Sequence, residues 1–444
     1  MSDNKVWLAH EIDEWIEEGL IDRDRAQSIL SRYEMAGGAR LERDQGRLIT
    51  VLSVMGALLV GIGGILFIAA NWEAMTRATK VAIIFASILG SSLGGYSLSF
   101  GNSTLPRVGH SLMFLSNLLF GAGIWLIAQA YHIQSHYPNG ILTWGIGVLA
   151  MAWAIESSPS LVLAGGLLTL WTGTESLGGD PWHINVAFLP LIGLVVAAAY
   201  RLKSTWSLVV SLGGLTVWSV IVVQIHTRGT TASSCISGAA LILVALTMLG
   251  TGALHDRSGP YAIFRAGYRQ FAAVLLLGTL YGLTFLFMLD GHFFRWHDSW
   301  RQLTDLAVLV PGVLICLGLL LSQKTLSQAE WYGTAGMVGL AAVLSLLPFV
   351  PTTAWLPSLV VNLSLVAGIV LFIWIGYQQR EPALFNVGMG FFALDLVTRY
   401  FDWFWEFLPR SLFFMAGGIV LLVGGAYLER TRRKVLADWK EVER

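Results

Sequence analysis

The chain has 444 residues, of which 55% are apolar and 13% are charged, with 28 basic and 28 acidic side chains. Soluble globular proteins carry about 25% charged residues, so this low value predicts that lipid surrounds most of the chain. A formal net charge of zero excludes the basic surface by which proteins bind nucleic acid, and no nucleic-acid partner is expected.

Residues 1–46 are predicted to form a cytoplasmic amphipathic helical hairpin. Apolar residues recur at helical spacing over 8–20, opposite a row of acidic side chains, and again over 26–33. Gly19 ends the first helix, and Asp22 is placed to cap the second. The segment is too acidic to be a cleavable signal peptide. We expect a soluble αα-hairpin that engages a protein partner or a second copy of the chain.

Residues 47–429 are predicted to form an all-α transmembrane bundle of about fourteen spans, followed by a basic cytoplasmic tail over 430–444. A bilayer core of about 30 Å needs about 20 apolar residues in a helix. Apolar windows that meet or approach this length run over residues 48–70, 79–100, 108–130, 139–155, 159–174, 184–200, 205–226, 232–253, 268–290, 303–322, 330–350, 357–377, 382–400 and 409–428.

Positive charge beside the first and last spans predicts how the chain is oriented in the membrane. Arg40, Arg43 and Arg47 precede the first span, and a basic cluster begins at Arg430 after the last. Because basic residues concentrate on the cytoplasmic side and an even number of spans returns the chain to that side, both termini are expected in the cytoplasm. The internal loops disagree. Arginines or lysines at 201, 203, 257, 265 and 269 support this orientation, whereas arginines at 295, 301, 399 and 410 oppose it.

Glycine is frequent, with 48 residues, and some glycines form pairs four positions apart. Small residues at this spacing let helices approach closely in lipid, where packing replaces the hydrophobic effect. Gly90 with Gly94 and Gly278 with Gly282 are the pairs expected to pack against neighbouring helices.

Polar and ionisable side chains within the spans are candidates for a ligand or ion path, because each is costly in lipid unless paired or hydrated. Asp395, Arg399 and Asp402 lie four and three residues apart and share one helix stripe. They form either a structural ion pair near the outer interface or an ion or proton relay. Asn117 and Gln129, on the third span, are expected to hold helices together or to contact a ligand.

The longest polar connection on the outer side is predicted to contain Asp290, His292, His297 and Asp298. A lipid-modifying enzyme would use such a His/Asp loop, but the histidine spacing fits no standard metal site, so an interfacial loop is favoured. Cys235 and Cys316 belong to no CxxC motif. With no Walker, GxSxG or HExxH sequence, no metal or cofactor is expected, and an enzyme with one of these motifs is disfavoured.

The N-terminal run WIEEGLID at residues 15–22, followed by AQSILSRY at 26–33, resembles the DUF2157 family of bacterial membrane proteins. The runs GIGGILFIAANW at 61–72 and FGAGIWLIAQAY at 120–131 are similar to the same family, as is the segment 386–402. The resemblance implies a many-span protein of the bacterial cytoplasmic (inner) membrane. It carries no biochemical activity onto any residue of this chain.

Two functional hypotheses follow. The first is transport or handling of a lipid or small ligand within a glycine-rich bundle, in a cavity near Asn117, Gln129 and Asp395. The alternative is a non-catalytic scaffold or regulator that recruits its partner through residues 1–46. A continuous polar path through the bundle would distinguish the first from the second.

Overall fold

The structure is a computed structural model. It describes residues 74–101, 105–133, 136–178, 183–227, 233–256, 259–289, 306–322, 328–347 and 355–404, together with scattered positions between 15 and 70 and between 415 and 433. The chain divides into two compact units, residues Met1–Gln134 and Ser135–Arg444. All secondary structure in the described ranges is helical.

The first unit contains α1 (Arg77–Tyr96) and α2 (Pro106–Tyr131). Thr76 begins α1, because its hydroxyl accepts a hydrogen bond from the backbone N–H of Thr79 at 3.3 Å. A π-helical turn over Ser97–Gly101 extends α1. Pro106 begins α2, where its fixed φ and missing N–H cost nothing.

The second unit contains ten described helices. They are α3 (Tyr137–Ile155), α4 (Ser158–Leu177), α5 (Phe188–Leu202), α6 (Thr205–His226), α7 (Ser233–Ala253), α8 (Ala262–Leu289), α9 (Val310–Ser322, preceded by a 3₁₀ turn at Leu306–Leu309), α10 (Gln328–Leu346), α11 (Trp355–Gln378) and α12 (Pro382–Phe404). Leucine, isoleucine, valine and alanine side chains of α6 to α12 pack into one continuous buried core.

Three helix connections of the second unit share a tight geometry. Glu156, Lys203 and Arg380 each follow a helix with a positive φ of 51–54°. The next residue's N–H bonds to a carbonyl five residues earlier, as in Ser204 to Ala199 at 2.9 Å. Ser157 and Ser204 then cap the following helices. These short turns force α3 and α4, α5 and α6, and α11 and α12 into antiparallel pairs.

Contacts between the turns define two ends of the second unit. Arg201 pairs with Glu156, and the Tyr200 hydroxyl lies 2.8 Å from Nε2 of His255, which brings the α3–α4, α5–α6 and α7–α8 connections together. We call this the basic end. At the opposite end, Glu175 lies between two histidines, 3.1 Å from His136 Nε2 and 3.5 Å from His183 Nε2.

Six described helical segments are long and apolar enough to cross a membrane: Arg77–Gly101, Pro106–Tyr131, Tyr137–Ile155, Thr205–His226, Cys235–Ala253 and Leu356–Gln378. Shorter apolar helices lie at Phe188–Leu202, Leu306–Leu319 and Gly417–Ala426. The all-helical class is therefore confirmed for the described residues, with six candidate spans, whereas a count of about fourteen is not confirmed. Nearly all of the predicted hairpin over residues 1–46, and most of the first and last windows, lie outside the described residues.

Close helix contacts form at glycines other than those predicted. A Cβ added to Gly90, Gly94 or Gly282 would meet no described atom within 4 Å, and one added to Gly278 would meet only Phe391 at 3.9 Å. A Cβ on Gly95, by contrast, would lie 2.8 Å from the Gly109 carbonyl oxygen. Among the described atoms, the closest approach therefore involves a glycine outside the predicted pairs, because spacing does not reveal which side of a helix faces its neighbour.

Candidate functional site

A fully buried arginine joins three helical segments at the basic end of the second unit. Arg269 of α8 is 2% exposed, and its Nη2 lies 2.8 Å from Oε1 of Glu330, which is 4% exposed. Its Nε lies 3.0 Å from Oε2 of Glu381, and Nη2 also donates to Gln379 at 3.1 Å. We call Arg269, Glu330, Glu381 and Gln379, together with Arg265, the ionic cluster.

Local structure places each carboxylate at the start of a helix. Glu330 lies in the first turn of α10, and Glu381 immediately precedes Pro382, the first residue of α12. The unbonded N–H groups of a helix N-terminus favour a negative charge there. Arg269 lies in the second turn of α8 and reaches both carboxylates because α8 runs beside them.

The absence of a side chain at Gly252 of α7 lets this part of α8 pack close to α7. A Cβ added to Gly252 would lie 3.0 Å from Cβ of Tyr268 and 3.2 Å from Cγ of Arg269. Any larger residue would therefore push the arginine away from its partners. The glycine has a positional role at this site that the spacing of glycines in the sequence did not show.

Arg265 balances the charge of the ionic cluster. Its Nε lies 3.6 Å from Oε1 of Glu381, and its Nη1 donates to the backbone carbonyl of His255 at 3.2 Å. Two arginines thus face two carboxylates, and their formal charges cancel. Neutrality is what allows ionised groups to be buried together.

Aromatic side chains extend the polar network from the ionic cluster toward the α7–α8 connection. The Tyr200 hydroxyl bonds to His255 Nε2 at 2.8 Å and donates to Tyr268 at 3.3 Å. His255 Nδ1 lies 3.0 Å from the carbonyl of Thr251. Since Tyr268 and Arg269 are neighbours on α8, this network and the ionic cluster are joined through the same turn of that helix.

Sequence reasoning missed the ionic cluster. The charge pattern of the sequence predicts that Arg265 and Arg269 lie in a loop, but α8 begins at Ala262, six residues before the apolar window that starts at 268. Glu330 and Glu381 have no distinguishing sequence signal, because a carboxylate at the start of a helix is a common feature. The available signal was two arginines four residues apart at the start of an apolar helix, which places both on one face.

Asp395, Arg399 and Asp402 are brought together as their spacing predicts. Arg399 Nε lies 3.4 Å from Asp395 Oδ1, and its Nη1 lies 3.3 Å from Asp402 Oδ2. The structure adds a partner from α11, because Arg399 Nη2 donates to Oδ1 of Asn362 at 2.5 Å. Thr398 lies 2.6 Å from the hydroxyl of Tyr281 on α8. The group links α8, α11 and α12, and its use as an ion or proton relay stays a prediction.

The two charged groups lie at opposite ends of the same helices. Glu381 and Arg399 are about 27 Å apart along α12 at 1.5 Å per residue, close to the ~30 Å thickness of a bilayer core. Between Glu381 and Asp395, Asn386 is the single polar side chain of α12. This helix therefore carries ionic groups near both of its ends and a mainly apolar surface between them.

Asn117 and Gln129 both lie on α2, in the first unit. Asn117 is 4% exposed, whereas Gln129 is exposed near the end of the helix. Twelve residues of helix separate them by about 18 Å, so one small ligand does not reach both. Asp395 belongs to the second unit. The predicted common cavity of these three residues stays a prediction.

The outer-loop candidates Asp290, His292, His297 and Asp298 lie outside the described residues. Within the ranges that are described, no group of three or more His, Cys, Asp or Glu side chains is arranged to hold a metal ion. Cys235 and Cys316 are both buried free thiols.

Residues 13–161 match the family described as predicted membrane protein (DUF2157). The resemblance drawn from the N-terminal sequence is thereby confirmed over about a third of the chain, a stretch that includes α1, α2 and α3. No curated protein and no solved structure matches the chain. The family match and the apolar helices identify a membrane protein, and the ionic cluster lies beyond the matched residues.

Proposed function

We propose that the protein handles a lipid or another small ligand within its membrane helix bundle, and that the ionic cluster forms a gate at the basic end of the second unit. The observation that carries the proposal is the bridge from the buried Arg269 to Glu330 and Glu381, at 2.8 and 3.0 Å. Three separate helical segments meet at this one side chain.

Energetics favour a functional interpretation of the bridge. Removing two ions from water costs about as much as their attraction returns, so a buried ion pair adds little net stability compared with apolar packing. Ionisable groups within membrane proteins commonly mark ligand or ion pathways. A bridge of low net stability between helices suits a contact that opens and closes.

The arrangement allows Arg269 to separate from one carboxylate while it stays paired with another. If α10 moves away, Arg269 loses Glu330 but keeps Glu381 and Gln379, which lie on the connection between α11 and α12. Arg265, 3.6 Å from Glu381, also neutralises that carboxylate. Arg269, Arg265 and Glu381 thus each retain an opposite charge when α10 separates, which lowers the cost of opening.

We place the basic end in the cytoplasm of a bacterial inner-membrane protein. Arg201, Lys203, Arg265, Arg269 and Arg380 lie at this end, and basic residues concentrate on the cytoplasmic side of membrane proteins. The opposite end carries Glu175, Asp395 and Asp402 beside Arg399. This orientation agrees with cytoplasmic termini, as the flanking arginines predict.

Movement of lipid between leaflets tests the proposal. Protein reconstituted into vesicles with a fluorescent phospholipid should expose inner-leaflet label to a membrane-impermeant quencher faster than protein-free vesicles. Glu330→Gln retains the side-chain shape but removes the charge opposite Arg269. Because breaking a buried ion pair by removing one partner costs about 3–5 kcal/mol, the variant should accelerate exposure roughly tenfold or more.

The matched control is Glu156→Gln at the same end of the unit. Glu156 and Arg201 form an ion pair in which both side chains are more than half exposed, so its loss should leave the rate unchanged. Wild-type vesicles that lose fluorescence no faster than protein-free vesicles would exclude lipid movement. Equal rates for wild type and Glu330→Gln, with wild type active, would exclude the gate.

A further inference from the structure

We infer that the first unit binds one acyl chain of a membrane phospholipid in a cavity between α1 and α2. This inference goes beyond the proposed gate, which lies in the other unit, and it rests on different residues. The cavity has a volume of about 410 Å³. Its described lining comprises Val60, Gly64, Ile84, Ser87, Gly90, Ser91, Leu112, Leu115, Leu119, Ala122, Gly123 and Leu126.

The lining selects hydrocarbon over polar ligands. It contains no charged side chain among its described residues, and the hydroxyls of Ser87 and Ser91 are its polar side-chain groups. The Ser91 hydroxyl already donates to the backbone carbonyl of Ser87 at 2.7 Å. An apolar cavity of this kind excludes water and binds apolar molecules.

The depth of the cavity identifies the source of the hydrocarbon. Arg77–Gly101 and Pro106–Tyr131 are both long and apolar enough to span a membrane. The lining positions fall in the middle of each segment, at 84–91 on the first and 112–126 on the second. At that depth the surroundings are lipid tails rather than headgroups. The occupant is therefore an acyl chain, with its headgroup outside the cavity.

The size of the cavity agrees with this occupant. A cavity needs only about 10–15 Å³ to hold one water molecule, so 410 Å³ has room for a run of methylene groups of one acyl chain. Filling the space also restores the dispersion contacts that a void would forfeit.

Two glycines of α1 provide a matched test. A Cβ on Gly90 or on Gly94 would meet no described atom within 4 Å, so no described neighbour blocks a side chain at its first carbon at either position. Gly90 lines the cavity, whereas Gly94, one turn further along, is not among its lining residues. Gly90→Leu should fill the cavity, and Gly94→Leu should leave it open.

The experiment is native mass spectrometry of the detergent-purified full-length protein, with extracted phospholipid quantified per chain. Wild type and Gly94→Leu should each retain one tightly bound phospholipid per chain. Gly90→Leu should contain at least tenfold less bound phospholipid per chain, although its thermal stability should equal that of the wild type. Absence of bound phospholipid from wild type, or equal retention by all three proteins, would overturn the inference. So would a two-chain species lost only in Gly90→Leu, because the cavity would then hold a second copy. None of these results depends on lipid movement in the vesicle assay.

Discussion

Replacing Arg269 by alanine should lower the free energy of unfolding by about 3–5 kcal/mol, because it removes the cation paired with the buried carboxylate of Glu330. Glu330 is 4% exposed and lies 2.8 Å from the arginine, so water cannot compensate the loss. Thermal or denaturant unfolding in one detergent, followed by tryptophan fluorescence, measures the effect.

The chain offers a matched control for this prediction in Arg399. It also faces two carboxylates and one amide, but Arg399 is 14% exposed and its partners Asp395 and Asp402 are 17% and 33% exposed. Arg399→Ala should therefore destabilise the protein clearly less than Arg269→Ala. The double variant Arg269→Met, Glu330→Met should recover part of the lost stability, since apolar pairs replace buried ion pairs at little cost. Equal losses for both arginines would show that burial does not determine the effect.

Alanine substitutions at two adjacent glycines of α1 should have opposite effects. Gly95→Ala places a methyl group 2.8 Å from the carbonyl oxygen and 2.9 Å from the backbone nitrogen of residues on α2, Gly109 and Met113. These are backbone atoms, so the helices must separate, at a cost of about 1–3 kcal/mol. Unfolding measured as for Arg269 checks the result.

Gly94→Ala is the matched control for that substitution. Its methyl group would meet no described atom within 4 Å, and alanine favours a helix over glycine by about 0.5–1 kcal/mol. A small gain in stability is therefore expected. A loss at Gly94 as large as that at Gly95 would contradict the close approach of α1 and α2.

A structural role and a functional role of the ionic cluster predict different results for the same variant. A charge network that only holds helices together would be replaced by apolar packing without effect on transport. If the ionic cluster is a gate, the Arg269→Met, Glu330→Met variant should be well folded, but its rate of lipid exposure in the vesicle assay should differ from that of the wild type. Comparing the two measurements on one variant therefore separates a structural from a functional role.

The sequence by itself determined the helical class, the approximate limits of most helices and the membrane setting. For example, the window 205–226 coincides with α6. These features are local, because about twenty consecutive apolar residues suffice to predict an apolar helix. The geometry of Asp395, Arg399 and Asp402 was predictable for the same reason, since four- and three-residue spacings fix neighbours on one helix.

Only the tertiary structure decided which distant residues meet. Glu330 and Glu381 lie 61 and 112 positions after Arg269, and nothing in their local sequence links them to it. The rotation of each helix about its axis likewise decided that Gly95, and not Gly94, touches α2. Periodicity identifies a face but not its neighbour, because the neighbour is chosen by packing over the whole bundle.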